Sequence, residues 1–135
     1  MQKAGENKVG RQFEKFKFRL ELSKVRELAL AIGDTKSDYL LGEKMPPTIA
    51  TVVDLWGEGI SYGQLLELNL EKVLYGGQKY EYYTDFEVGE EITVTTEIAD
   101  VQKKKSMDLY TVKREYKNEK EETAVIGYTT IIERH

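Results

Sequence analysis

The C-terminal half of this 135-residue chain alternates apolar and polar residues almost without interruption, which restricts the fold more than any other feature. Tyr80, Tyr82, Thr84, Phe86 and Val88 share one phase, and Ile92, Val94, Thr96 and Ile98 the next. Tyr110, Val112 and Tyr116 follow, and last come Ala124, Ile126, Tyr128, Thr130 and Ile132. A period of two puts successive side chains on opposite faces, so each run predicts a half-buried strand. The intervals carry turn chemistry at Val88-Gly89-Glu90, at the lysine-rich loop Lys103-Lys104-Lys105, and at Lys117-Asn118-Glu119-Lys120. Four such strands in succession predict a meander.

The N-terminal half is mixed. FKFRLEL, positions 16 to 22, alternates and predicts a strand. Ser23 then offers a hydroxyl N-cap, Val25, Leu28, Ala29 and Ile32 recur at helical spacing, and Gly33 suits the left-handed position after a last turn. Positions 34 to 47, with Asp34, Ser37, Asp38, Gly42 and Pro46-Pro47, predict a loop holding one turn of helix. TIATVVDLW, positions 48 to 56, is rich in β-branched residues and predicts a buried strand. Gly57, Gly59 and Gly63 lead into LLELNLEKVL, which is too apolar for a surface element and predicts a buried, interrupted helix. The order is α+β: a single domain over residues 1–135, with an antiparallel sheet wrapped around a central apolar helix, the hot-dog architecture. One such sheet leaves an edge strand open, so pairing with a second copy or a sibling subunit is expected.

Composition narrows the function classes. With 20 basic against 24 acidic residues the net charge is −4, which lacks the basic excess of a nucleic-acid footprint. The run Lys103-Lys104-Lys105 is a solvated loop on the simplest reading and a phosphate or thioester-carrier contact on the sharper one. There is no cysteine and one histidine, so neither a disulfide framework nor a metal ligand set is available, and no metal or organic cofactor is expected. The polar start MQKAGENKVGRQ and the lack of any run near twenty apolar residues argue for a cytoplasmic protein without membrane association.

Four stretches together carry a resemblance: AIGD at 31–34, PPT at 46–48, VVDLWG at 52–57 and LNLEKVLYGGQKYEYY at 68–83. In this order they resemble the N-terminal domain group of the MaoC-like dehydratases, hot-dog relatives of the (R)-specific enoyl-thioester hydratases and 3-hydroxyacyl-thioester dehydratases. The similarity runs from about Phe13 to Glu133. Catalytic members carry G-D-x-N-P-aliphatic-H, in which aspartate and histidine position and deprotonate the water that adds to the enoyl double bond. Gly33 and Asp34 match the first two positions, while Lys36, Ser37, Asp38 and Tyr39 occupy those of Asn, Pro, the aliphatic residue and His. Tyrosine titrates near 10 and histidine near 6.5, so Tyr39 is a poor substitute for a general base at neutral pH. His135, the one imidazole in the sequence, sits at the last position, where fraying is the default.

The resemblance implies a division of labour: a non-catalytic, acyl-binding subunit of an (R)-specific hydratase or dehydratase acting on coenzyme A or acyl-carrier thioesters. It belongs to a hydro-lyase assembly, lacks the catalytic histidine, and pairs as a homodimer or with a catalytic-type hot-dog subunit. Asp34 is then either a residual catalytic carboxylate or a loop-stabilising helix-end aspartate. Gly57, Gly59 and Gly63 either cradle the thioester carbonyl with amide groups or form a tight turn. Trp56 lines an acyl tunnel or the core, and Thr48 touches substrate. The alternatives are a homodimeric thioesterase or hydratase using Asp34, and a module that binds acyl thioesters without turnover.

Overall fold

In the computed structural model, which describes residues 9–54, 57 and 61–135, the alternating runs form one five-stranded antiparallel sheet. Its strands are β1 (Phe16–Arg19), β2 (Val73–Tyr82), β3 (Glu91–Lys103), β4 (Met107–Lys117) and β5 (Thr123–Arg134). The spatial order is β1-β3-β4-β5-β2. The expected meander therefore holds for β3, β4 and β5 only. β2 crosses to the far side and pairs with β5, from Val73 opposite Glu133 to Tyr82 opposite Val125. Gly89, with φ +87, makes the turn into β3 and needs the freedom that a side chain would deny it.

Register decides which face is inside. Directly opposed residues in an antiparallel pair share a face. Buried Tyr110, Val112, Arg114 and Tyr116 lie opposite Ile131, Thr129, Gly127 and Val125. The inward phase of β5 is thus Val125, Gly127, Thr129, Ile131 and Glu133, one residue out of step with the expected Ile126, Tyr128, Thr130 and Ile132. β5 is nearly as apolar on one face as on the other, so its own pattern does not choose; the pairing to β4 does. Ala124 is buried as expected because the register shifts between Tyr116 and Lys117. The strand expected over 80–88 is also displaced, β2 ending at Tyr82.

The helices are short: α1 (Leu22–Ala31), α2 (Ser37–Leu40), α3 (Ile49–Val53) and α4 (Tyr62–Leu65). α1 starts after Glu21 and not at a Ser23 cap, so β1 stops at Arg19. The segment expected to be a strand, TIATVVDLW, forms α3 over its first part, with Trp56 outside the described residues. Ile49, Ala50 and Val53 fall on one helical face, and burying that face against Ile92, Val94, Tyr116 and Val125 outweighs the strand preference of β-branched residues. Conversely, the expected helix over LLELNLEKVL does not form. Glu67 adopts φ +58 and ends α4, a 3-10 turn follows at Leu70–Lys72 capped by Asn69, and Val73 begins β2. Leu66 and Leu68 enter a second core with Tyr62, Ile98, Tyr110, Val112 and Ile131, while Leu70 and Leu74 stay exposed.

Between the two cores lies an ion pair. Asp54, which caps α3, places Oδ1 3.0 Å from the Arg114 guanidinium on β4. The same oxygen accepts from the Tyr116 hydroxyl at 2.6 Å, Oδ2 accepts from Tyr62 at 3.2 Å, and Arg114 Nε donates to Thr96 Oγ1 at 3.1 Å. Burial pushes the Asp54 carboxyl above its ordinary value, against the opposing pull of Arg114 and the donated hydrogen bonds. Removing one partner leaves an uncompensated buried charge, so Asp54→Ala is expected to destabilise by roughly 3–5 kcal/mol. Asp54→Leu combined with Arg114→Met should lose less than either single change, measured by urea unfolding. A raised folded-state value means that the native state holds the Asp54 proton more tightly than the unfolded chain. The contribution of Asp54 is therefore fully present below its unfolded value and declines as pH rises through the folded one. Subtracting the Asp54→Asn stability profile from that of the parent should give a difference that falls as pH climbs from about 4.

Candidate functional site

The loop after α1 carries the carboxylate expected from sequence. Gly33 takes φ +72, Asp34 N–H donates to the Ala29 carbonyl at 3.0 Å, and the chain is turned back for α2. Asp34 Oδ2 lies 3.5 Å from Lys36 Nζ, which sits 5.6 Å from the centre of the half-buried Tyr39 ring. Lys36 thus brings Asp34 and Tyr39 into one neighbourhood. Arg26 Nε donates to the Leu40 carbonyl at 2.7 Å and fastens α2 to α1. The loop is built, yet the ionisable groups from Asp34 to Tyr39 are two carboxylates, an ammonium and a phenol, with no imidazole. His135 is held elsewhere, between the Lys105 carbonyl at 3.0 Å and Asp108 Oδ1 at 3.1 Å. Its terminal position did not prevent that anchoring.

Thr48 is exposed at the N-cap of α3, and its side chain makes no capping bond. The residues around it line an open cleft of about 280 Å³ whose walls include Met45, Pro46, Ile49, Ala50, Phe86 and Val125. The Tyr82 hydroxyl donates to the Pro47 carbonyl at 2.8 Å across its rim. A largely apolar concavity with a few polar groups at its mouth is the form that small-molecule sites take.

The glycines divide differently. Trp56 and Gly59 lie outside the described residues. A Cβ on Gly57 would come within 2.6 Å of the Phe16 ring, and one on Gly63 within 2.8 Å of Leu70 Cδ2. Both positions have a close-packing reason to be glycine. Gly63 also sits inside α4, whose first turn is closed by a capping box: Ser61 Oγ accepts from Gln64 N–H and the Gln64 side chain accepts from Ser61 N–H. The amides of Ser61 and Gln64 are therefore already occupied.

Sequence reasoning missed the Asp54, Arg114, Tyr62 and Tyr116 cluster. Two signals pointed to it: a carboxylate inside the apolar run VVDLW, and an arginine in the inward phase between Val112 and Tyr116. Opposite charges at two core positions are expected to meet, since neither is tolerated alone. Burial, reinforced by the Asp54 charge, raises the tyrosine hydroxyls of Tyr62 and Tyr116, which therefore stay protonated as donors. Burial opposes the charge on Arg114, but Tyr62, Asp54 and Tyr116 around it win and raise its value. Its guanidinium also lies 4.5 Å from the Tyr62 ring centre and 5.3 Å from that of Phe16. With three donors on one carboxylate, this cluster ties the end of α3 and the start of α4 to β4. No trio of His, Cys, Asp or Glu among the described residues could hold a metal ion, and none of the described helices is long and apolar enough to cross a membrane.

Comparison with known proteins agrees with this architecture. The family described as FAS1-like, dehydratase domain region matches residues 7–126. A UPF0336 protein of Streptomyces griseus subsp. griseus is 27% identical over 122 residues, covering 82% of this chain and 81% of its own length. Among solved structures, the C-terminally truncated HadBC (3R-hydroxyacyl-ACP dehydratase) complex of Mycobacterium tuberculosis aligns with a TM-score of 0.76 at 14% identity, over 95% of this chain and 98% of that one. The MaoC-like dehydratase of Rhodospirillum rubrum gives 0.72 at 13%, over 98% and 97%. At such identities the structural matches establish the shared hot-dog fold, and the family match establishes membership. The chain belongs to the FAS1-like dehydratase domain region family and has the hot-dog fold.

Proposed function

We propose that this protein is the acyl-binding, non-catalytic subunit of a hydratase or dehydratase that acts on enoyl or 3-hydroxyacyl thioesters. The observation that carries the reading is the loop itself: Asp34 stands at the position of the catalytic aspartate, while Tyr39 replaces the base and the lone imidazole is tied up at the β3–β4 turn. Hydration of a conjugated thioester needs a group that exchanges a proton near neutral pH. A companion subunit with the intact motif would supply it. HadBC, a similar fold, is a complex by its own description.

The open side of the sheet supports pairing. β2 spans ten residues and among the described strands bonds only to β5. Leu74 is 47% exposed and Tyr75 64%, on an edge that would otherwise invite unwanted association. The cavity beside α3 supports the acyl half of the proposal. An engineered apolar cavity of about 150 Å³ takes benzene, so roughly 280 Å³ has room for a short to medium acyl chain.

Two experiments test this. The purified chain should not hydrate crotonyl thioester, and mixing it with a catalytic-type hot-dog subunit should restore turnover. Asp34→Ala in the mixture should stay within about threefold of the parent, because loss of a working general base would take roughly 10²–10⁴-fold. Leu74→Glu with Tyr75→Glu should weaken pairing and turnover together. Turnover by the isolated chain that Asp34→Ala abolishes would overturn the reading, and release of free thiol would assign hydrolysis instead. For the cavity, Ala50→Phe in the mixed enzyme should raise KM for longer acyl chains more than for crotonyl, with little change in kcat for the short substrate; equal effects on both would remove the acyl role from this cavity.

A further inference from the structure

The cleft at the start of α3 combines apolar walls with one charged group. Its lining includes the core residues Ile49, Ala50, Phe86 and Val125, each nearly free of solvent contact. Its polar side chains are Tyr82, Thr84 and Asp85, all exposed, at the end of β2 and just beyond it. The Tyr82 hydroxyl is already committed to the Pro47 carbonyl at 2.8 Å. Asp85 is the one acid in the lining, and neither lysine nor arginine is part of it.

The backbone is fastened on both sides of Asp85. The N–H groups of Tyr83 and Thr84 donate to the Ala124 carbonyl at 2.8 and 3.2 Å, just past the last β2–β5 pair of Tyr82 with Val125. Phe86 on the other side is buried and meets the Tyr116 ring edge-on, with centroids 6.4 Å apart. The carboxylate between these two anchors is held at the cleft, and it forms no ion pair among the described residues.

We propose that Asp85 is a specificity-determining residue, through which the cleft accepts acyl chains that end in a methyl group and rejects those that end in a carboxylate. The inference rests on the acyl-binding reading of this cleft. A hydrocarbon end gains free energy by leaving water for the walls. A terminal carboxylate loses hydration among apolar side chains, meets no cation in the lining, and stands beside a like charge. Apolar walls by themselves penalise a charged tail of either sign; Asp85 makes the discrimination depend on sign, which is rejection by a repulsive element.

The test is isothermal titration of the full chain with three pantetheine thioesters of one length: octanoyl, its ω-carboxyl counterpart and its ω-amino counterpart. Pantetheine lacks the phosphates of coenzyme A, so the ligands differ in charge only at the end of the chain. The parent should bind octanoyl most tightly and the ω-carboxyl ligand at least about tenfold more weakly. Asp85→Lys should reverse the order of the ω-carboxyl and ω-amino ligands, by a margin that narrows as salt rises, while octanoyl affinity stays within about twofold and Tm is unchanged. Asp85→Asn should relax the discrimination at least about threefold, which keeps the test decisive if the lysine variant fails to fold. A ratio of ω-carboxyl to ω-amino affinity that neither variant moves, with octanoyl still bound, overturns this inference and leaves the acyl-binding reading standing. Tighter binding of the ω-amino ligand than of octanoyl by the parent makes the cleft an amine site and also overturns it. Failure of the parent to bind octanoyl, or octanoyl binding that Ala50→Phe leaves unchanged, overturns both.

Discussion

The pairing of Asp54 with Arg114 on the sheet's buried face is the contact on which the arrangement turns. α3 is only five residues long, too short to persist by backbone hydrogen bonding alone. Its apolar face, Ile49, Ala50 and Val53, supplies burial but little directional information. An ion pair does supply direction, because a carboxylate accepting from a guanidinium and two phenols has few acceptable positions. Asp54 therefore fixes the end of α3 against β4, and Tyr62 fixes the start of α4 to the same carboxylate. Both flanks of the intervening glycine-bearing segment are referred to one point on the sheet.

That arrangement separates structural polarity from the chemistry of the Asp34 loop. The buried Asp54 carboxylate already accepts from three donors, whereas Asp34 is half-buried and meets an exposed lysine. The loop retains the helix end, the left-handed glycine and the short second helix that would present an acid and a base, without the imidazole. On the function proposed above, the cavity at the start of α3 would bind, the open β2 edge would pair, and another chain would supply proton transfer.

The two ends of the sheet have distinct characters. At the end where Tyr82 faces Val125, the surface is concave and apolar, with a tyrosine–carbonyl bond at its rim. At the end where Val73 faces Glu133, Glu133 is buried and accepts from Asn69 N–H, while Lys72 and Arg134 are exposed. Ten residues of β2 lie between them, about 30 Å.

Much of the fold was legible in the sequence because strand alternation is a local property. The runs at 92–98 and 110–116, the turn at Gly89 and the left-handed Gly33 all follow from residue types and spacing. The loop without a histidine was equally plain, since it depends on which residue occupies a position and not on packing. What tertiary structure alone decided is the identity of the central helix, the inward phase of β5, and the crossing of β2 to the far edge. In each case the local pattern was degenerate: TIATVVDLW and LLELNLEKVL are apolar enough for either secondary structure, and β5 is apolar on both faces. The choice between such equals falls to register and to the meeting of Asp54 with Arg114, residues sixty positions apart, whose contact exists only once the sheet has closed over the helix.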